Sequence, residues 1–250
     1  FLDSYFESIS GFTTTGFSII ENIETIDEPL LLWRSSSQWI GGLFFLLATV
    51  GTLGSKKMKI KPTYLIQDTN TGGNFYKNFN YNFIKIFIIY FVSTIFIIFL
   101  LNLTNIRLLD SFNLAFTAIS SGGFINKNNL LHIVDNNLQI FTLSVVLLFP
   151  ILNFYIFFKI IKNNFKIKEH QEDLHLVLLL ITIVLFFYFL IIPEEGIVNI
   201  LLSVTTSLAT SGISTYSGNF DVSLFFIILT IIGGSLLSTS SGFKYVRFYI

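Results

Sequence analysis

The chain has 250 residues, of which 52% are hydrophobic and only 12% charged, with a mean hydropathy of +0.72. Soluble domains carry about 25% charged residues, so this composition argues against a soluble globule and for a multi-pass integral membrane protein. Fifteen basic and fifteen acidic residues cancel, leaving no basic stripe for nucleic acid. Cysteine is absent, which removes disulfides and thiolate metal sites, and His132, His170 and His175 are scattered.

In chain order, the sequence opens on Phe1 without a signal-peptide pattern, as a fragment of a longer protein is expected to. A half-apolar stretch from Tyr5 runs into Gly11-Phe12-Thr13-Thr14-Thr15-Gly16. Leu30–Gly54 is the first segment able to cross a bilayer, with Arg34 near its start. A polar, basic loop, Ser55–Asn82, precedes the second span, Phe83–Leu101. Phe112–Phe124 is again short and half-apolar and ends in Ser120-Ser121-Gly122-Gly123-Phe124. The third span is Leu138–Phe158, with Pro150 inside it, and the basic loop Lys159–Asp173 follows. The fourth is Leu174–Ile192, closed by Pro193. Leu201–Ser214 repeats the short half-apolar type and contains Thr210-Ser211-Gly212. The fifth span, Val222–Leu237, is apolar for 16 residues and then turns rich in Gly and Ser.

Charge orients these spans. With both basic loops and the C-terminus in the cytoplasm, twelve of fifteen basic residues lie inside, and only Arg34, Arg107 and Lys127 lie outside. The positive-inside rule is met. Eleven of fifteen acids lie outside, among them Glu21, Glu24, Asp27, Glu28, Glu194 and Glu195. They either form a vestibule that concentrates cations or are simply tolerated there.

The short segments form an internal repeat: span, short helix, hydroxyl-x-Gly, span. A helix of about 10 residues is too short to cross, so each is expected to dip in from outside and stop. Irregular backbone at membrane depth survives only where protein buries it or water reaches it. Gly permits left-handed geometry, and rings of carbonyls can replace a cation's hydration shell. Each helix also points its negative C-terminal end inward. The candidate ion-binding residues are therefore Thr14, Thr15 and Gly16, Ser121, Gly122 and Gly123, and Thr210, Ser211 and Gly212.

Glu7 to Gly16 resembles the first pore helix and filter of the Trk/Ktr/HKT potassium transporters, closest to the TrkH/KtrB-like pore-forming subunits. Leu32-Trp33-Arg34-Ser35-Ser36-Ser37-Gln38-Trp39-Ile40-Gly41-Gly42 is similar to that family's following inner helix. Ser120 to Phe124 resembles its second filter, and Ile232 to Arg247 resembles the broken inner helix of its third repeat. The resemblance implies an all-α integral membrane fold of helix–pore-helix–helix units around a pseudo-fourfold pore, incomplete here. Residues 1–54 would be a first repeat without its outer helix, 83–161 the second and 174–250 the third, joined by cytoplasmic loops 55–82 and 162–173. It implies potassium uptake across the bacterial inner membrane, with Gly at the key filter position favouring potassium over sodium. Channel and coupled symporter both stay open.

The resemblance also implies an intramembrane gate loop: Gly233, Gly234, Ser235, Ser238, Thr239, Ser240, Ser241 and Gly242. It implies potassium as the bound ion, a homodimer embedded in membrane lipid, and a cytosolic nucleotide-binding regulatory subunit of the TrkA/KtrA-like kind. Any regulatory nucleotide would sit on that subunit, and no covalent cofactor is expected. The Ser55–Asn82 loop either docks it or is a topological loop. Two departures stand out. The match to Gly16 is either Gly122 or Gly123, with the shared Gly-Phe step favouring Gly123. Ile213 replaces an aromatic and is expected to loosen packing behind the third filter. Arg34 reads as snorkelling beside an aromatic belt, as do Lys85 and His175 at span starts, while Lys244 and Arg247 mark the inner boundary. No catalytic residues are assigned. A membrane enzyme needs converging carboxylates or histidines, and a sodium-coupled carrier usually shows inverted repeats and midplane charges; neither pattern is present.

Overall fold

The computed structural model describes residues 2–53, 75–154, 156–157, 171–191, 195–213 and 220–245. Among them the regular elements are helical, and the only bridge pairing is an isolated one between Ile232 and Phe243. Three short helices, Leu2–Phe12, Leu108–Ser120 and Ile197–Ala209, alternate with longer ones. The long helices are Glu28–Leu53, Phe75–Leu103 and Gln171–Phe186, the last continued by a π turn over Phe187–Ile191. Asn137–Val146 and Phe220–Ile231 complete the set. Phe83–Leu103 and Gln171–Ile191, 21 residues each with mean hydropathies of 2.7 and 2.9, are long and apolar enough to cross a membrane. Most of the basic loop residues read as cytoplasmic, with His170 and Arg247, lie outside the described residues. The loop expected to end at Asp173 is helical from Gln171.

The long helices are apolar on both sides. On Phe75–Leu103, Tyr90, Ile97 and Leu101 are wholly buried, while Ile84, Ile88, Ile95 and Phe99 are exposed along one stripe. An exposed apolar stripe of this length suits lipid, not water. Lys85 does not snorkel: it is 8% exposed, inside the packing.

Small residues let the short helices close on the first long one. A methyl group on Gly41 would lie 2.0 Å from the Phe12 carbonyl oxygen, and one on Gly42 would lie 2.7 Å from Ser120 Cβ. The Gly41-Gly42 pair thus receives the ends of the first and second short helices, one glycine each. Tyr90 Oη donates to the Trp39 carbonyl (3.0 Å) and Trp39 Nε1 to Thr94 Oγ1 (2.9 Å), which ties the next long helix to the same place.

The third span is not one helix. It stops at Val146 and passes through turns to Leu152, and Phe154, Ile156 and Phe157 are helical again. Pro150 supplies the reason: it has no N–H to donate to the Val146 carbonyl, and its ring would clash there.

Candidate functional site

The three short helices end alike. The amide of Thr15 donates to the Ser10 carbonyl (3.0 Å), that of Gly122 to Thr117 (2.9 Å) and that of Ser211 to Thr206 (3.1 Å). Just before each donor the backbone is left-handed, at Thr14 (φ 55°), Ser121 (58°) and Thr210 (56°). Two residues further on a glycine is left-handed as well: Gly16 (80°), Gly123 (82°) and Gly212 (68°). This is a Schellman closure, with Thr or Ser where glycine is usual. A non-glycine residue in that conformation costs roughly 1–2 kcal/mol, a strain that persists where the surroundings hold it and that clusters at functional sites. The geometry equates Gly16, Gly123 and Gly212, so Gly123, not Gly122, is the counterpart of Gly16.

The tips also meet. A methyl group on Gly16 would lie 2.1 Å from the Gly122 carbonyl oxygen, and one on Gly123 would lie 2.2 Å from that of Ser211. The first tip therefore abuts the second and the second abuts the third, in sequence order. A methyl group on Gly212 would have no neighbour within 4 Å. Carbonyl oxygens and the negative ends of helix dipoles are gathered in one place, an arrangement that attracts cations. Thr15 is exposed, and its Oγ1 pairs with that of Thr13 at 2.8 Å. Ile213 does not loosen the third tip: it is 2% exposed and packs in the hydrophobic core.

Three residues behind the tips escaped the sequence analysis as functional candidates. Glu7 and Arg34, each 8% exposed, form a buried ion pair at 2.8 Å. Glu7 Oε2 accepts from Arg34 Nε and Nη2, and Oε1 accepts from Ser18 Oγ (2.7 Å) and the Ile19 amide (2.9 Å). The guanidinium also lies 4.2 Å from the centroid of the Phe124 ring. Arg34 is thus not a snorkelling interface residue. It clamps the chain that leaves the first tip and touches the residue that follows the second. Gln38 is fully buried, and its amide reaches the second tip: Nε2 donates to the Gly122 carbonyl (2.6 Å), while Oε1 accepts from Thr117 Oγ1 (2.7 Å) and the Phe124 amide (3.2 Å). An acid in a half-apolar helix and a glutamine inside an apolar span are the signals that could have found them.

The Gly/Ser segment after Ile231 doubles back on itself. Phe243 N–H donates to the Ile231 carbonyl (2.9 Å), Gly233 N–H to Phe243 (2.8 Å) and Tyr245 N–H to Gly234 (3.1 Å). Ser235, Ser238, Thr239 and Ser240 are buried, whereas Ser241 and Gly242 are exposed. The segment is pinned to two tips. Thr239 Oγ1 donates to the Ile119 carbonyl (2.7 Å), and Ser241 donates through its amide (2.9 Å) to Thr210 Oγ1. It is pinned equally to the broken third span, through Ser235 N–H to Ile151 (2.9 Å) and Ser240 N–H to Pro150 (3.0 Å). Lys244 does more than mark a boundary: its Nζ donates to the Ser238 carbonyl (2.9 Å), Ser238 Oγ (2.9 Å) and the Ser240 carbonyl (2.7 Å). Gly233 and Gly234 serve close approach, since methyl groups there would lie 2.3 Å from the Ser241 carbonyl and 2.4 Å from that of Ile151.

The loops leaving the first two tips are joined through exposed contacts. Ile23 N–H donates to Asn128 Oδ1 (3.0 Å), and His132 pairs with Glu24 at 3.4 Å. The His132 hydrogen bond, helped by the charge of Lys127, holds the Glu24 carboxyl below its ordinary range. Glu28 is paired with Arg107. Glu24 and Glu28 are therefore both engaged by side-chain partners.

No protein-family model matches the chain. An uncharacterized cation transporter of Methanocaldococcus jannaschii is 28% identical over 267 residues, covering 100% of this chain and 52% of its own length. The Trk system potassium uptake protein TrkI of Halomonas elongata is 24% identical over 260 residues, covering 99% of the chain and 52% of its own. The chain thus spans about half the length of these curated relatives. The crystal structure of the potassium transporter TrkH from Vibrio parahaemolyticus superposes on 99% of this chain and 53% of that one, with a TM-score of 0.77 at 21% identity. The chain carries the fold of TrkH, an all-α membrane architecture of repeated units present here in part, and it is related in sequence to the Trk potassium uptake proteins.

Proposed function

We propose that this chain forms part of a potassium-selective uptake pore, with Thr14–Gly16, Ser121–Gly123 and Thr210–Gly212 as filter and Gly233–Gly242 as gate loop. The observation that carries the reading is the shared tip geometry. Three helices end in the same left-handed closure, and Gly16 and Gly123 seat against the Gly122 and Ser211 carbonyls. A cation entering from the outer side exchanges water for backbone oxygens. The membrane potential drives it inward with about 2.3 kcal/mol per charge per 100 mV. No covalent step is involved. Residues 1–54 supply the first unit, 83–161 the second and 174–250 the third. The protein works in the cytoplasmic membrane, surrounded by lipid, as a homodimer on a cytosolic nucleotide-binding regulatory subunit; the resemblance to Trk systems motivates these partners.

Gly16→Ser in the natural protein that contains this chain tests the reading. Serine at φ 80° is strained, and its Cβ meets the Gly122 carbonyl at 2.1 Å. The wild type, expressed in cells without other potassium uptake, is expected to take up rubidium with little competition from sodium. The variant is expected to lose that discrimination. Equal sodium competition in both refutes the assignment of Gly16 to the filter. A wild type that prefers sodium refutes potassium selectivity.

A further inference from the structure

The second tip carries two glycines where the first and third carry Thr15-Gly16 and Ser211-Gly212. Gly123 is accounted for by its φ of 82° and by the Ser211 carbonyl against it. Gly122 has no such reason, since its backbone is not left-handed. What stands against it is Gln38: a methyl group on Gly122 would lie 2.3 Å from Gln38 Cδ and 2.4 Å from Oε1. The glutamine amide occupies the space of a side chain at Gly122.

The bonds show what it does there. Nε2 donates to the carbonyl just before Gly123, and Oε1 accepts from the amide just after it. One side-chain amide therefore brackets Gly123 on both sides, pairing with the backbone as a neighbouring peptide would. Its orientation is forced, because the Gly122 oxygen can only accept and the Phe124 N–H can only donate. Thr117 Oγ1 donates to the same Oε1 and fixes the amide from the pore helix. Gln38, Thr117 and Gly122 are all buried, so each bond forms out of water.

We infer that Gln38 is a positioning residue for ion selectivity: a strap from the first repeat's long helix that holds the second filter around Gly123. The Gly122 carbonyl is then held by the strap against Gly16, and the pair explains why the second filter needs two glycines. The inference rests on the potassium-uptake reading for its consequence, and on the Gln38–Gly122 contact for its substance.

The test combines a transport readout with a stability readout on the natural protein that contains this chain. Gln38→Met keeps the volume and removes all three bonds. Rubidium uptake is expected to persist, with sodium competing about tenfold more effectively, the size of one or two lost buried hydrogen bonds. Gly122→Ala is expected to damage selectivity and lower the melting temperature in the wild type. In a Gln38→Ala background the same change adds nothing, because the clash is gone. Wild-type sodium competition in Gln38→Met overturns the inference, as does an equal effect of Gly122→Ala in both backgrounds. A wild type that takes up no rubidium overturns the uptake reading and the selectivity role with it. The melting cycle then decides the strap by itself: coupling between positions 38 and 122 supports it, and additivity overturns it.

Discussion

Replacing Arg34 by Met removes the cation from a buried pair while keeping most of the apolar stem. Arg34 and Glu7 are both 8% exposed, so the Glu7 carboxylate would be left away from water. It would keep Ser18 Oγ and the Ile19 amide on Oε1 and lose both donors on Oε2, at 3.0 and 2.8 Å. Breaking a buried pair from one side costs about 3–5 kcal/mol. Taking Glu7→Gln together with Arg34→Met removes both charges, and the double variant should lose less than the sum of the singles by at least about 2 kcal/mol. Unfolding of purified protein in detergent, run as a double-mutant cycle, measures both quantities. The guanidinium also lies over Phe124, so sodium discrimination should fall in the single variant. A loss below about 1 kcal/mol for Arg34→Met, or strict additivity in the cycle, refutes the clamp.

Two further outcomes follow from the geometry. Gly233→Ala places Cβ 2.3 Å from the Ser241 carbonyl and should cost about 1–3 kcal/mol and alter rubidium flux, while Gly196→Ala, with no atom within 4 Å, should leave both unchanged; equal melting temperatures for the two would contradict the close approach. His132→Ala should raise the Glu24 pKa toward its ordinary value, as read by NMR titration. A carboxyl held low adds stability above its unfolded pKa and loses it as pH falls through the folded one, so the variant should show a shallower acid-side decline.

The repeat was legible because its signature is local. A left-handed turn after a short helix needs a small or hydroxyl residue and then glycine, and those letters recur at Thr14–Gly16, Ser121–Gly123 and Thr210–Gly212. The break after Ile231 was legible for the same reason, since Gly233 and Gly234 interrupt an apolar run; reading it as a gate came from the resemblance. The contacts behind the tips were not. Glu7 meets Arg34 across 27 positions, and Gln38 meets Gly122 across 84, distances at which spacing carries no information. Arg34 illustrates the failure: a cation near a span end beside Trp33 suits an interface, and only the location of Glu7 turns it inward. The third span misled because Leu138–Phe158 is largely apolar and carries no charge, and hydropathy does not register a missing amide at Pro150.

That break and the segment after Ile231 belong to one device. Each is irregular backbone among apolar helices, where an unpaired carbonyl costs several kcal/mol. They satisfy one another: Ser235 and Ser240 donate to Ile151 and Pro150, and Phe154 donates back to Leu237. Neither segment can leave the other without exposing these groups, unless water enters as they part. Thr239 and Ser241 meanwhile hold the segment to the ends of the second and third short helices. Any displacement of the segment from the Pro150 break would therefore also load its bonds to the Ile119 carbonyl and Thr210 Oγ1. Under the gate reading proposed above, these shared bonds would tie movement of the segment to two tips.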